Sequence, residues 1–338
     1  RLMLALIGAF ILVHLAGKKV IPWLHGLHFG QTIYDLGPQA HKSKQGTPIM
    51  GGMMIAAAAT LFGLILHPGR WYGVWDFTVG LIVMSLLCMA VGFADDYIKA
   101  VKKRHEGLTP WQKIAGQLVA GCGFACYCYF NPYVGSRIII PFSGAEWDLG
   151  WWYIPVMALV IIFMVNSSNL LDGLDGLLST TTSIGNTGWA ILALFTMSAS
   201  TSDAVRDNAA ATAIYALAVV GGTLGFLRYN RYPARCFQGD SGSMFIGGAA
   251  VGMALLLRQP LMMVLICFTM LMSSVSVIMQ RIYFKLTHGK RIFKMSPVHH
   301  HFELSGYPET QIVSMYAVIT ALLTGVAVLS QFAYHWPF

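Results

Sequence analysis

The amino-acid sequence predicts an all-α integral membrane protein with ten transmembrane helices. The 338-residue chain is 56% hydrophobic and 11% charged, whereas a soluble domain carries about a quarter charged residues. The apolar residues form long runs, and most of the 22 Lys and Arg residues lie between these runs. No repeat, low-complexity tract or soluble domain interrupts the pattern. Residues 1–338 are therefore predicted to form one polytopic domain.

Ten apolar runs approach the roughly 20 residues that a helix needs to cross a bilayer. For Leu2–Leu15 a signal peptide is the alternative, but Lys18 and Lys19 follow without a small-residue cleavage pattern. Thr47 and Pro48 are predicted to start the second helix as N-cap and first residue. The predicted spans are Leu2–Leu24, Pro48–Leu66, Phe77–Ala94, Ile114–Phe130, Trp151–Val165, Ile184–Met197, Ala209–Leu227, Met244–Leu257, Leu261–Phe284 and Ile312–Phe332.

The distribution of positive charge predicts the orientation. Lys and Arg cluster in the segments after odd-numbered spans, so the positive-inside rule assigns these segments to the cytoplasm and both termini to the outside. Because the net charge of +8 lies beside apolar runs, it does not indicate a nucleic-acid partner. In the longest outer segment, Asn131–Gly150, the run Ser136–Pro141 is compatible with a short external β-hairpin. The six Cys show no CxxC or zinc spacing and are interpreted as small buried hydrophobes.

Two adjacent carboxylates, Asp95 and Asp96, follow the third apolar run. At a membrane face they suit a divalent cation, or a base beside one. Lys99 is expected to approach Asp96, because residues three apart are neighbours on a helix. The alternative is a solvated helix end that carries only positive-inside charge.

A dense polar run, Asn166–Leu177, follows the almost purely apolar fifth span. Polar residues at such a place are costly unless they line water or a ligand. Asp172 and Asp175 are three residues apart, so a helical turn would align them, and the glycines beside them permit close backbone approach. The alternative is a turn with Asx caps. Because four carbonyl-bearing side chains are excessive for a turn, we favour a functional site.

The segment Arg228–Ser243 combines basic residues with a glycine- and serine-rich helix start. The N–H groups of that helix start are predicted to bind an anion, with Ser241 and Ser243 as helix caps. Asp240 offers the hard oxygen that Mg²⁺ typically takes from one or two carboxylates. Phe237 suits stacking on a base, although a loop Phe more often packs against its neighbours.

Three consecutive histidines, His299–His301, follow a basic stretch. They cannot all face one ion on a regular helix or strand, so a phosphate or sugar contact is favoured over a zinc site. A neutral loop triplet is the alternative. Gln280, in the ninth span, is either a helix–helix hydrogen bonder or a ligand contact.

These polar segments share the predicted cytoplasmic face. Together they suit a nucleoside diphosphate with Mg²⁺ and a second, lipid-embedded phosphate, since phosphoryl transfer depends on positioning and charge neutralisation. The chain has no Walker or Rossmann glycine motif, which argues against ATP hydrolysis. A secondary transporter with proton-relaying carboxylates is the alternative from another class, but it predicts inverted repeats and polar residues near the midplane of both halves.

In order and spacing, five motifs resemble those of the polyprenyl-phosphate N-acetylhexosamine-1-phosphate transferase superfamily over nearly the whole chain. The motifs are Gly46–Gly52, Asp95–Lys99, Asn169–Leu177, Gly239–Ser243 and Ser296–Glu303. The triple-His run followed by Phe-Glu resembles the branch that uses UDP-MurNAc-pentapeptide more than the relatives that use UDP-GlcNAc. A GlcNAc-1-phosphate transferase on the same scaffold is the closer alternative.

The resemblance implies a Mg²⁺-dependent enzyme of the bacterial cytoplasmic membrane that transfers phospho-MurNAc-pentapeptide from its UDP carrier to undecaprenyl phosphate. The products would be UMP and lipid I, a peptidoglycan precursor. The resemblance also implies ten helices, an external N-terminus, a cytoplasmic cleft and a homodimer. The implied catalytic residues are Asp95, Asp96, Asp240 and His299, with Asp240 as the Mg²⁺ ligand. The implied substrate-binding residues are Lys103, Lys113, Asn169, Asp172, Asp175, Phe237, Gln280 and His300, with Phe237 against uracil. Two mechanisms remain alternatives at this point. Asp95 or Asp96 is the base in a single displacement, or the covalent nucleophile in a double displacement.

Overall fold

The computed structural model of the chain describes residues 1–26, 44, 46–102 and 107–335. These residues form helices, short 3-10 turns and one pair of short strands. In chain order the helices are α1 (Leu2–Gly26), α2 (Gly52–Ile65), α3 (Phe77–Lys102), α4 (Pro110–Phe130), α5 (Tyr153–Leu171), α6 (Leu177–Ala199), α7 (Asp203–Asn230), α8 (Gly239–Leu256), α9 (Met263–Ile266), α10 (Phe268–Leu286), α11 (Val298–Glu303) and α12 (Glu309–His335). The strands are β1 (Arg137–Ile139) and β2 (Glu146–Asp148). The predicted helical class is confirmed.

Five helices among the described residues are long and apolar enough to cross a membrane. They are Leu2–Gly26, Phe77–Ala100, Gly150–Leu171, Asp203–Asn230 and Glu309–Phe332; a bent pair, Pro260–Ile266 with Phe268–Leu286, makes six if it forms one span. On α1, large apolar side chains such as Met3 and Leu15 are exposed, which suits contact with lipid. The chain is therefore a multi-pass membrane protein, and the full count of ten crossings stays a prediction.

The ninth predicted span, Leu261–Phe284, is not one straight helix. Two helical pieces, α9 and α10, meet at Cys267 at an angle of 87°. α10 buries Ser and Thr side chains, while Met272, Ile278 and Ile282 are exposed. This polar inner face and apolar outer face invert the pattern of a helix on a soluble protein. The exposed face of α10 therefore suits lipid.

α8 is the buried centre of the bundle. Every residue from Ser241 to Leu256 is buried, and α8 packs against α2, α3 and α5. Glycines permit these close crossings, since small residues let helix backbones approach in membranes. A Cβ at Gly92 of α3 would clash with the Asp240 carbonyl. The end of α3 therefore lies directly against the start of α8.

The predicted start of the second helix is wrong. α2 begins at Gly52 and not after Thr47. The backbone before it pairs instead with the segment that leads into α8: Phe237 N–H donates to Pro48 O (2.8 Å), and Gly51 N–H donates to Phe237 O (2.9 Å). Because these residues are held in an extended bridge, they cannot join the helix. The bridge fastens α2 to the start of α8.

β1 and β2 pair as an antiparallel ladder between α4 and α5. Arg258, just after α8, holds this ladder. Its Nη2 donates to Glu146 Oε1 (2.7 Å), and its carbonyl accepts from Ile139 N–H (2.8 Å). The ladder thus lies at the opposite end of α8 from Asp240. Its location outside the cell stays a prediction.

Candidate active site

Three carboxylates from two helices converge at one point. Asp95 and Asp96 lie near the end of α3, and Asp240 lies in the first turn of α8. One oxygen of each side chain lies within 4.8 Å of the corresponding oxygens of the other two. Asp95 and Asp96 are 1% and 2% exposed, whereas Asp240 is partly exposed. Because buried carboxylates are costly unless they are paired, their partners define the site.

Two lysines neutralise this cluster. Lys99 Nζ lies 2.5 Å from Asp95 Oδ2 and 3.1 Å from Asp240 Oδ2. Lys113 Nζ lies 3.1 Å and 2.5 Å from the same two oxygens. The predicted pair of Lys99 with Asp96 is replaced by a pair with Asp95, because the Asp96 oxygens turn to α8. Lys113 lies in the cluster, whereas Lys103 falls outside the described residues.

Asp96 caps α8 from another helix. Its Oδ1 accepts from Asp240 N–H (3.1 Å), and its Oδ2 accepts from Ser241 N–H (2.9 Å). The first amides of a helix lack partners within the helix, and negative charge there is stabilising. Gly239 has a φ of +74°, and a Cβ there would lie 2.5 Å from Asp96 Oδ2. The predicted anion site at this helix start is thus filled by a carboxylate of the protein itself.

The prediction that Ser241 and Ser243 cap α8 is wrong. Both residues lie within the helix, and Ser243 Oγ donates to the Gly239 carbonyl (3.1 Å). The Ser243 hydroxyl also accepts from Asn169 Nδ2 (2.9 Å), which donates in addition to Asp240 Oδ1 (2.8 Å). Asn169, near the end of α5, therefore lies at the cluster and orients the Asp240 carboxylate.

The two aspartates of the run Asn166–Leu177 have separate surroundings. They lie in a glycine-containing turn between α5 and α6, so Asp172 and Asp175 are not aligned on a helix as their spacing predicted. Burial raises the pKa of Asp172 to about 8, and the negative charges of Asp240, Asp96 and Asp175 contribute. Below that pH, the protonated carboxyl of Asp172 is a hydrogen-bond donor.

Asp175 belongs to a second charged cluster. Its Oδ1 accepts from Lys44 Nζ (2.8 Å), and its Oδ2 accepts from Ala234 N–H (2.8 Å). Lys44 Nζ also lies 2.7 Å from Glu309 Oε1 at the start of α12, and Glu309 Oε2 accepts from Asp175 N–H (3.1 Å). Lys44 and Glu309 are 265 residues apart, and no motif in the sequence indicates their contact. A contact of Asp175 with the nucleotide stays a prediction.

The three histidines lie on the short helix α11. His299 is fully buried, and a Cβ at Gly173 would clash with the His299 imidazole and would lie 3.1 Å from His300 Nε2. His300 Nδ1 lies 3.0 Å from Glu303 Oε2, while His301 Nδ1 accepts a backbone N–H from the preceding loop (3.1 Å). The rings have different surroundings, in accord with the argument that a helix does not turn all three to one ion. α11 thus packs on the turn that carries Asp172.

Gln280 and Phe237 make backbone contacts in the structure. Gln280, buried in α10, accepts with Oε1 from Ile292 N–H (3.1 Å) and Phe293 N–H (3.0 Å). The backbone of Phe237 bridges to the segment before α2, and its side chain is partly exposed. A role for either residue in nucleotide binding stays a prediction.

The cluster of Asp95, Asp96 and Asp240 fits a divalent cation. Its three carboxylates and two ammonium groups leave a formal charge of about −1, and carboxylate oxygens are the ligands that Mg²⁺ takes. Asp95 and Asp240 are the residues that would hold the ion, because both Asp96 oxygens accept backbone N–H groups.

An apolar cleft of about 800 Å³ lies between α5 and the bent pair formed by α9 and α10. One wall is formed by residues 156–164 of α5, and the other by α9 with Leu271 of α10. Trp147 and Trp152 line the end that is remote from the acidic cluster. Since a helix rises 1.5 Å per residue, the inner end of the cleft lies about 8 Å along α5 from Asn169. An apolar chain bound there would lead toward the acidic cluster.

Comparison with known proteins identifies the family. Residues 78–258, just over half of the chain, match glycosyl transferase family 4. A phospho-N-acetylmuramoyl-pentapeptide-transferase of Clostridium novyi (strain NT) is 39% identical over 325 residues, 95% of this chain and 94% of that protein. Proteins of the same name from Thermoanaerobacter sp. (strain X514) and Clostridioides difficile (strain 630) are each 40% identical, over 95% and 96% of this chain and 96% of each relative. The chain therefore belongs to glycosyl transferase family 4 and, within it, to the phospho-N-acetylmuramoyl-pentapeptide-transferases.

Proposed function

We propose that this protein transfers phospho-MurNAc-pentapeptide from UDP to undecaprenyl phosphate, releasing UMP and forming lipid I for peptidoglycan synthesis. The observation that carries the proposal is the convergence of Asp95, Asp96 and Asp240 with two lysines where α3 meets α8. Such a site supplies the positioning and charge neutralisation that phosphoryl transfer requires. The shared name of relatives at 38–40% identity favours the MurNAc-pentapeptide donor over UDP-GlcNAc.

Mg²⁺ is the proposed cofactor, held by Asp240 and Asp95. When bound, it would neutralise charge on the pyrophosphate and on the leaving UMP. Asn169 orients Asp240 through Oδ1 (2.8 Å). Lys99 and Lys113 lie at the Oδ2 atoms of both acids, so they are placed to bind the phosphate oxygens of the substrates.

In the proposed reaction, an oxygen of the lipid phosphate attacks the phosphorus that carries the sugar. The bond between that phosphorus and the bridging oxygen breaks, and UMP leaves with the bridging oxygen. Asp95 is better placed than Asp96 to assist, because both Asp96 oxygens accept backbone N–H groups of α8. In a single displacement, Asp95 keeps the lipid phosphate deprotonated. In a double displacement, the Asp95 carboxylate attacks the phosphorus that carries the sugar first and UMP leaves, and the lipid phosphate oxygen then attacks the acyl-phosphate and releases the Asp95 carboxylate. Rapid-quench trapping of an acyl-phosphate on Asp95 supports two steps, and its absence during turnover supports one.

The remaining predicted residues are proposed to bind the UDP-sugar. The contact of Gly173 with His299 and His300 supports a place for α11 beside the turn of Asp172, close to the pyrophosphate. On the basis of the resemblance, Phe237 would stack on uracil. Lys103, Asp175 and Gln280 complete the proposed donor pocket.

The lipid acceptor and the orientation follow from the apolar surfaces and the charges. The cleft between α5 and α9 is lined almost entirely by apolar side chains, which suits an isoprenoid tail whose phosphate lies at the acidic cluster. This end of the bundle is proposed to face the cytoplasm, because Lys and Arg concentrate there. A homodimer is proposed from the resemblance alone, and chemical crosslinking in membranes measures it.

The decisive test measures UMP release by the purified protein in nanodiscs that contain undecaprenyl phosphate. UDP-MurNAc-pentapeptide and UDP-GlcNAc are compared, each with Mg²⁺ and with EDTA, and Asp240→Asn serves as the background control. We expect UMP release only with UDP-MurNAc-pentapeptide and Mg²⁺. Faster release from UDP-GlcNAc would reassign the donor, whereas solute flux into proteoliposomes without any UMP release would support a transporter.

A further inference from the structure

The end of α10 carries a surface patch that combines apolar and basic side chains. We call residues 281–292 the α10 tip. Its apolar side chains are 37–75% exposed: Ile282, Tyr283, Phe284, Leu286 and Ile292. Its basic residues are all exposed: Arg281, Lys285, Lys290 and Arg291. The α10 tip contains no acidic residue, and among the described residues none of its four Lys and Arg side chains forms a salt bridge.

The position of the α10 tip follows from the bend at Cys267. That bend of 87° redirects the helix, and α10 then exposes an apolar face from Met272 to Leu286. Where this face lies in the acyl region, the basic residues at its end reach the headgroup level, because Lys and Arg extend their charged ends to the membrane surface. Near an anionic bilayer each Lys or Arg is attracted to the surface.

We propose that the α10 tip binds the anionic phospholipid headgroups of the bilayer leaflet on the side of the acidic cluster. The combination of exposed basic and apolar side chains matches both parts of that partner: its negative headgroups and its acyl chains. A soluble partner would satisfy the charge, but it would not cover an apolar face that is continuous with the membrane-exposed side of α10.

The α10 tip is connected to the histidine helix α11 by hydrogen bonds. Gln280 accepts from the N–H groups of Ile292, the last residue of the tip, and Phe293, the residue after it. Ser276 Oγ accepts from Val298 N–H at the start of α11 (3.0 Å). α11 in turn packs His299 against Gly173. Anchoring of the α10 tip in the headgroup layer therefore holds His299 against the turn of the candidate active site, and anionic lipid increases the rate of transfer.

The test compares nanodiscs of phosphatidylcholine alone with nanodiscs that contain about 30% phosphatidylglycerol, an anionic lipid. The test variant combines Lys285→Gln, Lys290→Gln and Arg291→Gln. The matched control combines Lys18→Gln and Lys19→Gln, which neutralise exposed lysines on α1. Hydrogen exchange of residues 287–297 reports lipid contact without reference to activity. UMP release reports the consequence for transfer, and only this second readout rests on the proposed function.

In wild type and control, anionic lipid should slow exchange of residues 287–297 and raise turnover by roughly tenfold. In the triple variant, exchange and turnover should be nearly the same in both lipids. An unchanged lipid response of the triple variant overturns the proposal. So does an equal rise of its KM for the UDP-sugar in both lipids, which would mean that the α10 tip binds the donor.

Two further outcomes remain interpretable. If wild type releases no UMP in either lipid, the proposed function fails, while the exchange data still decide whether the α10 tip binds anionic lipid. If the triple variant is unfolded, Lys290→Gln replaces it, because that change affects one exposed side chain in a loop. A partial loss of the lipid response by Lys290→Gln supports the proposal, and a full response contradicts it.

Discussion

Two clusters of carboxylates and lysines lie near the same end of the bundle, and they differ in what their oxygens contact. Around Lys44, all four carboxylate oxygens of Asp175 and Glu309 accept from the lysine or from backbone N–H groups. In the other cluster, the Oδ2 atoms of Asp95 and Asp240 face two ammonium groups. A metal ion can compete with these ammonium groups for the carboxylate oxygens, and a phosphate can compete with the carboxylates for the ammonium groups.

We propose that the Asp240 cluster takes part in the reaction, whereas the Lys44 cluster holds a wall of the donor pocket in place. The Lys44 cluster joins four chain segments, those of Lys44, Asp175, Ala234 and Glu309, and two of its contacts come from backbone N–H groups, so it stabilises their arrangement. In the Asp240 cluster, the Oδ2 atoms of Asp95 and Asp240 contact two ammonium groups and, among the described residues, no backbone N–H, and binding of substrate and cofactor requires that such partners be replaced. Both clusters contain an aspartate from a glycine-rich run, so residue type and local motif alone do not distinguish them.

The sharpest test of this comparison pairs Asp240→Asn with Asp175→Asn. Asp240→Asn should lower turnover on the order of 10³-fold, because it removes charge that acts in the transition state, while UDP-sugar affinity changes little. Asp175→Asn should lower the melting temperature and reduce turnover far less. UMP release, donor binding and thermal unfolding are measured for both variants. Equal losses of turnover without any loss of stability would contradict the distinction.

The next effect concerns Asp96, which we assign to holding the start of α8. Asp96→Ala leaves two amides of α8 without their acceptor and should cost about 1–3 kcal/mol of stability. Asp96→Asn retains one acceptor and should cost less. Unfolding in detergent and the Mg²⁺ concentration for half-maximal turnover are the measurements. If Asp96→Ala is as stable as wild type but its turnover no longer responds to Mg²⁺, Asp96 is instead a direct ligand of the metal ion.

An effect of about the same size is expected where α3 crosses α8. Gly92→Ala places a Cβ against the Asp240 carbonyl, so it should displace Asp240 and cost about 1–3 kcal/mol of stability, as overpacking does. Gly123→Ala is the matched control, because a Cβ there meets nothing within 4 Å. Thermal unfolding and UMP release compare the two variants. Identical behaviour of both would exclude a positioning role for the close crossing.

The smallest expected effect is the pH dependence that Asp172 introduces. Its pKa rises from 3.8 to about 8 on folding, chiefly through burial. Between these values the unfolded chain has lost a proton that the folded chain keeps, so this contribution to stability is full at low pH and declines as the pH rises toward 8. Asp172→Asn removes this titratable group, so its stability does not decline for this reason. Relative to wild type, the melting temperature of Asp172→Asn should therefore rise between pH 5 and pH 8. A constant difference between the two melting temperatures would refute the raised pKa of Asp172.

Much of the site could be predicted from the sequence. Apolar runs that match the bilayer thickness identify the membrane protein, since burial in lipid requires a continuous stretch of apolar residues. Asp95, Asp96, Asp240 and Asn169 stood out because polar residues are costly at the ends of apolar helices. The structure brings these four residues together.

The tertiary structure decided which of these polar groups contact one another. Asp96 accepts from an amide 144 residues away, and Lys44 contacts Glu309 across 265 residues; such contacts leave no trace in local spacing. The bend at Cys267 likewise has no proline or glycine beside it to indicate it. The sequence by itself thus determined the membrane environment and the chemical groups, because both depend on local composition. Only the packing of α8 against α3 and α5 determined which carboxylates became a cap, an ion pair or a candidate metal site.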